Sequence, residues 1–192
     1  MTRVYVPTTA EGLVRLVSEG VLGPTPLRAY AVTQELTAWW GDAGQHDAEK
    51  PDDEELEYAA MLQAGGASLA MLAFATMADD SPPARRIVIA ADVPDVAGLQ
   101  DPQAVEGSVP GELRLAEELP MTAVAAVHVD GDGAVGAVRK AASVLADYGI
   151  RYGSGEPSVP ADAEQALATL SDHELEWFEP GEVADLIDLL DL

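Results

Sequence analysis

Gly131, Gly133 and Gly136 stand as G-x-G-x-x-G between a β-branched run and an amphipathic segment. A strand, a glycine turn and a helix start form the setting in which a dinucleotide pyrophosphate is held. The glycines let the backbone approach it, and the helix N-terminus favours an anion. Asp130 and Asp132 flank the same turn and put two carboxylates beside any phosphate. The preceding strand also begins only near residue 123, which leaves little chain for the usual mononucleotide half. The balance favours an ordinary Gly-rich turn. His128, Asp130 and Asp132 alternate, so a persisting strand places them on one face, as a divalent cation needs. An EF-hand loop requires a bidentate Glu at its twelfth position. Counted from Asp130, that position is Ala141 and position five is Ala134. A strand-end histidine with satisfied nitrogens is the plainer reading, so neither metal nor cofactor is expected.

Two further groups of residues suit recognition of a partner. Trp39 and Trp40 are adjacent, and eight acids with a single Lys follow between Asp42 and Glu57, among them Asp53, Glu54 and Glu57. On a helix neighbours diverge by about 100°, so one Trp points inward and the other is left to solvent, where Trp marks interfaces. After Arg151 there is no Lys or Arg, while eleven acids occur from Glu156 to Asp191. Asp185, Asp188 and Asp191 lie opposite the apolar stripe of the last helix. They oppose its dipole, so that helix frays unless docked. A basic partner protein seated on these segments is the functional reading, and a solvated outer face is the plain one. Arg85-Arg86 is the densest basic point and reads as a gatekeeper pair beside a buried strand. No local signature assembles a Ser/His/Asp site, so no catalytic residue is expected.

Composition narrows the classes further. Ten basic residues against 34 acids give a formal net charge of -24 in 192 residues. That nearly excludes direct nucleic-acid binding, which needs a basic footprint, and docking on anionic lipid. With 48% apolar residues the chain has enough for a core, so wholesale disorder is excluded. No cysteine is present, which removes disulfides, thiolate metal sites and thiol nucleophiles. No stretch reaches the roughly 18 apolar residues of a membrane helix. Met1 to Pro7 is too short and too alternating for a signal peptide and reads as an opening strand. The expected location is the cytoplasm.

The elements that must position these residues follow from periodicity. Expected strands cover Arg3–Val6, Leu27–Val32, Arg85–Val93, Glu112–Ala116, Ala123–Val129 and His173–Phe178. Expected helices start from capping boxes at Thr8/Glu11 and Asp52/Glu55. The second runs from Asp53 to Phe74 with Tyr58, Leu62, Leu69 and Leu72 as its apolar stripe. Gly65-Gly66 within it means either an interruption or another element packed close. Further helices cover Ala134–Tyr148, Ala161–Leu170 and the final segment, where Val183, Leu186, Ile187 and Leu190 are spaced i, i+3, i+4, i+7. The first strand, helix and second strand fit within about 30 residues, which favours parallel pairing by a right-handed crossover. The expectation is one α/β domain over 1–192, with α+β as the variant. It has a mixed sheet of about six strands flanked by helices, an acidic loop at 41–52 and an irregular insertion at 94–110.

The segments RVYVPTT, LRAYAVTQELTAWW, EELEYAAMLQA, RRIVIAADVPD, VAAVHVD and HELEWFEPGEV occur in this order. Together they resemble an uncharacterised family of actinobacterial proteins known only as a domain of unknown function. The resemblance implies an actinobacterial cytoplasmic protein and carries no activity, cofactor or catalytic residue onto these positions. The function expected from the residues is therefore an acidic protein-binding or regulatory module. The alternatives are a nucleotide-binding protein or enzyme using Gly131–Gly136, and a mimic of nucleic-acid charge that inhibits a basic DNA- or RNA-binding protein.

Overall fold

The computed structural model describes residues 1–42, 51–77, 82–94, 99–100, 109–148 and 161–189. In chain order the elements are β1 (Thr2–Thr8), α1 (Ala10–Glu19), β2 (Val21–Leu22), β3 (Leu27–Tyr30), α2 (Gln34–Asp42), α3 (Asp53–Met77), β4 (Ile87–Val93), β5 (Leu99–Gln100), β6 (Glu112–Leu115), β7 (Leu119–Pro120), β8 (Val124–Asp130), α4 (Val135–Tyr148), α5 (Ala161–Ser171), β9 (Leu175–Phe178) and α6 (Val183–Leu189). Seven strands form the main sheet in the order β5-β6-β3-β1-β4-β8-β9, and β2 pairs with β7 apart from it. The α/β class with helices flanking a sheet holds. Most of the expected loop at 41–52 and of the insertion at 94–110 lies outside the described residues.

The expected parallel pairing of the first two long strands does not occur. Every pairing in the sheet is antiparallel, including β1 with β3 through Tyr5↔Tyr30. The cause is an extra reversal. α1 stops at Gly20, whose positive φ of 77° ends the helix in the left-handed region. The chain then runs through β2 and turns again at 23–26 before entering β3. A strand reached by helix and strand together arrives pointing the other way.

β1 and β4 are paired over seven registers, Thr2↔Val93 to Thr8↔Ile87, and form the sheet centre. Their alternate residues feed two separate cores. Val4, Val6, Ile87, Ile89, Val127 and Val129 face α1 and α6, against Leu13, Leu16, Val183 and Leu186. Tyr5, Tyr30, Val88, Ala90 and Ala126 face α3 and meet Ala59, Ala60, Ala64 and Ala67, with Leu36 of α2 alongside. Burial on both faces explains why these strands read as continuous apolar runs. A third core lies outside the sheet, where Leu69, Leu72 and Ala73 of α3 meet Val138, Ala141 and Leu145 of α4 and Ala166 and Leu170 of α5.

α3 is therefore sandwiched, and its inward face is not the expected one. The sheet side is alanine, which lets the helix axis come close. Leu69 and Leu72 face the outer helices, while Tyr58 and Leu62 are 47% and 44% exposed. The helix is not interrupted at Gly65-Gly66. Leu175 of β9 packs there instead, 3.8 Å from where a Gly65 side chain would begin. α3 is long and apolar enough to cross a membrane by length and composition, contrary to the sequence expectation, yet half of its most apolar window is buried inside the protein. One buried polar side chain locks it in place. The Ser68 hydroxyl donates to the Thr8 carbonyl at 2.9 Å and accepts the Ile87 N–H at 3.0 Å, which closes the end of the β1–β4 ladder.

Candidate functional site

Of the three residues weighed as cation ligands, Asp130 and Asp132 are ion-paired with arginines. Asp130 is fully buried at the end of β8 and accepts from Arg86 through its backbone N (2.6 Å), Nε (2.9 Å) and Nη2 (2.7 Å). Arg86 Nη2 also donates to the His173 carbonyl at 2.9 Å. Arg85 donates to the Asp130 carbonyl at 2.7 Å and pairs with Asp132. The two arginines thus fasten β4, the β8 turn and the entry to β9 together. They are structural clamps rather than surface gatekeepers, with side chains only 9% and 10% exposed. His128 is half-buried on β8, opposite Val88 and Trp177. Burial, with a smaller effect from Arg3, holds its imidazole below the ordinary histidine value. Among the described residues no group of three or more His, Asp or Glu is placed to hold a metal ion.

The glycine turn does join a strand to a helix, as expected, through a 3₁₀ turn over Asp132–Ala134. A side chain at Gly131 would meet the carboxylate of Glu176, the far end of an exposed flexible side chain that can move aside, and Gly133 and Gly136 border open space. The concavity beside the turn is lined by Asp172, Glu174 and Glu176. An incoming phosphate meets these three carboxylates first.

The tryptophans divide as the helix requires. Trp39 is 43% exposed, while Trp40 packs on the core shared by the sheet and α3. Their rings lie 6.2 Å apart, tilted by 58°. Asp52 and Glu55 form the expected capping box at the start of α3, Glu55 N to Asp52 Oδ1 at 2.8 Å and Asp52 N to Glu55 Oε2 at 3.2 Å. Asp53 and Glu54 are exposed. Glu57 is half-buried and accepts the Tyr5 hydroxyl at 3.1 Å. Burial, reinforced by Glu57, pushes the Tyr5 phenol up to about 12, so it stays a neutral donor. α6 docks through Val183 and Leu186 on the α1 side, with Asp185 and Asp188 outward and exposed. Asp191 lies outside the described residues.

A further concavity, mainly apolar in its lining, lies elsewhere, between α3, α5 and β9. It encloses about 300 Å³. It is lined by Tyr58, Met61, Leu62, Gly65 and Gly66 of α3, by Leu167 and Leu170 of α5 and Leu175 of β9, and by Arg86, His173 and Glu174. Glu54, Tyr58 and Leu62 follow at i, i+4, i+8, so an exposed carboxylate continues the apolar row of α3. Sequence reading placed Tyr58 and Leu62 in the core and missed the groove. The signal present was Gly65-Gly66, which removes two side chains from a helix beneath three leucines of other elements.

The model of a family of unknown function, DUF6912, matches residues 2–187 of the chain. No curated protein and no solved structure matches it.

Proposed function

The chain belongs to this family of unknown function, and from that premise we propose that it is an acidic, cytoplasmic protein-binding module. It seats a basic amphipathic segment of a partner protein in the groove between α3, α5 and β9. One observation carries this reading: Tyr58 and Leu62 are nearly half exposed at the mouth of an apolar groove. Large apolar side chains at the mouth of a concavity suit a partner's anchor residues. The net charge of -24 supports a basic partner, because complementary charge speeds encounter and rejects acidic competitors. Glu54 along the α3 row and Glu174 in the groove lining supply local acids.

The test is a pull-down from lysate of the source organism with wild-type protein and Leu62→Asp, washed at low and at high salt. One stoichiometric partner is expected, lost in Leu62→Asp and partly retained at high salt by the wild type. No enriched partner at either salt, or one held equally by both proteins, overturns the proposal. A partner that leaves both proteins with salt alone supports charge mimicry of nucleic acid instead.

A further inference from the structure

A second concavity lies on the opposite flank of α3, where β1 runs into α1. It encloses about 410 Å³, between the first turns of α1, the loop at 23–26, the start of β3, the end of β6, and Ala67 and Met71 of α3. Arg15, Arg28 and Arg114 line it. The whole chain has eight arginines and two lysines against 34 acids. Composition alone does not gather three arginines at one cavity.

Arg28 and Arg114 are direct partners in the β3–β6 register. Like charges placed opposite one another destabilise a sheet. Among the described residues one carboxylate pairs with both. Glu112, itself buried, forms an ion pair through the single oxygen Oε1 with Arg28 Nε at 3.1 Å and with Arg114 Nη2 at 3.0 Å. One negative charge against two positive ones leaves an excess at the strand pair. The third arginine, Arg15, has, among the described residues, ion pairs within its own helix alone, to Glu11 at 3.5 Å and Glu19 at 3.9 Å, with both acids exposed. Such surface pairs contribute little and exchange readily for a better acceptor. All three guanidinium side chains still reach solvent, at 42%, 44% and 25% exposure. The N-terminal end of α1 adds its positive dipole. Beside the charges stand Pro24, Pro26, Leu22, Leu27 and Met71 as an apolar wall, and Glu11, the exposed partner of Arg15, also lines the cavity.

We propose that this cavity binds a phosphate monoester. Its dianionic head lies among Arg15, Arg28 and Arg114, and its carbon body rests on Pro24, Pro26 and Met71. Guanidinium forks match the paired oxygens of a phosphate, and several of them together favour a dianion over a single carboxylate. The site is independent of the α3–α5 groove, so neither proposal depends on the other.

The probe is phenyl phosphate, titrated at constant ionic strength by calorimetry and by NMR of the arginine side-chain Nε–H groups. Phenol and benzoate are the controls. Saturable binding of phenyl phosphate is expected, with shifts at Arg15, Arg28 and Arg114. Arg15→Gln, on the half-exposed face of α1, weakens it about tenfold or more, and Arg114→Met does the same. Lys140→Gln, exposed on α4, leaves it unchanged. The proposal is overturned by no saturation up to about 10 mM, far weaker than a charge-assisted site affords. It is equally overturned by full affinity in Arg15→Gln, a variant whose folding does not depend on Glu112, or by benzoate binding as tightly as phenyl phosphate.

Discussion

Removing the Asp130 carboxylate by Asp130→Ala strips three donors of their acceptor at once. They are the backbone N, Nε and Nη2 of Arg86, at 2.6, 2.9 and 2.7 Å. Asp130 is wholly buried and the Arg86 side chain is 10% exposed, so water does not take the carboxylate's place. Among the described residues the Arg86 side chain keeps the His173 carbonyl alone. Breaking a buried pair from one side costs about 3–5 kcal/mol, because the surviving charge is left without compensation. The orphaned backbone N–H draws on the same carboxylate, so its cost of about 1–3 kcal/mol overlaps and is not simply added. A loss of about 4 kcal/mol is expected, a large part of the about 5–15 kcal/mol of an ordinary domain. At this chain length each kcal/mol moves the midpoint by about 2–4 °C, so Tm falls by about 8–16 °C. The assay is urea and thermal unfolding followed by tryptophan fluorescence and circular dichroism. Arg86→Met/Asp130→Leu is measured beside it. The double variant removes both charges and recovers at least half of the loss, leaving mainly the unpaired Arg86 N–H. A loss below about 1 kcal/mol in Asp130→Ala, or a double variant no more stable than the single one, refutes this account.

Ser68→Ala leaves the Ile87 N–H and the Thr8 carbonyl without their shared partner. It lowers stability by about 1–3 kcal/mol, read from the urea midpoint, with protection of the Ile87 amide falling in hydrogen exchange. Gly111→Ala places a side chain at φ 86° and 3.0 Å from the Ala31 carbonyl oxygen. It costs about 1–2 kcal/mol or more, and an unchanged unfolding curve would show that the turn relaxes freely. His128 is held below its ordinary value by burial, so the unfolded chain takes up that proton first as pH falls. The stability it contributes is complete above about pH 6.5 and is lost as pH drops through the folded value. His128→Gln flattens this part of the profile, and parallel profiles for variant and wild type count against it. Asp92 is lowered chiefly by its hydrogen bonds from Arg3, at 2.7 and 3.0 Å. Arg3→Gln therefore weakens the acid-side loss of stability below the ordinary carboxylate range, measured by acid titration of ellipticity.

Periodicity and capping rules located the elements where one local force dominates. RRIVIAADV is apolar because β4 is covered on both faces, and the i, i+3, i+4 spacing of Val183, Leu186 and Ile187 matches a helix docked through those residues. α3 shows where this reading stops. Its large residues mark its outer flanks, while the sheet contact is made by Ala59, Ala60, Ala64 and Ala67. Burial by close approach of small side chains leaves no stripe in a hydrophobicity pattern. Strand direction was lost for a different reason. Two residues of β2 and a turn reverse the chain, and nothing in their composition distinguishes them from loop. The charged pairs were illegible because they join distant positions. Arg86 and Asp130 are 44 residues apart, and only the fold turns a gatekeeper and a supposed cation ligand into one buried pair. Gly131 was read from its motif, yet what it faces is the Glu176 carboxylate, on a strand brought beside it by the sheet.

The position of β1 in the sheet has a consequence for synthesis. The first strand made is the middle strand of seven, and its long ladder with β4 needs nothing beyond residue 93. A ribosome that has released the first half of the chain has already delivered β1, α1, β3, α3 and β4. The sheet then grows outward, with β6 added to one side and β8 and β9 to the other. Domains assemble N-terminal part first during translation, and here that order runs from the centre to the rims. In the interval, Leu69, Leu72 and Ala73 of α3 stand uncovered until α4 and α5 emerge. The nascent half-molecule thus presents one apolar helix face beside an acidic helix start. This stretch is the part of the nascent chain left to shield, and a stall between β4 and α4 leaves it exposed longest, when aggregation is favoured.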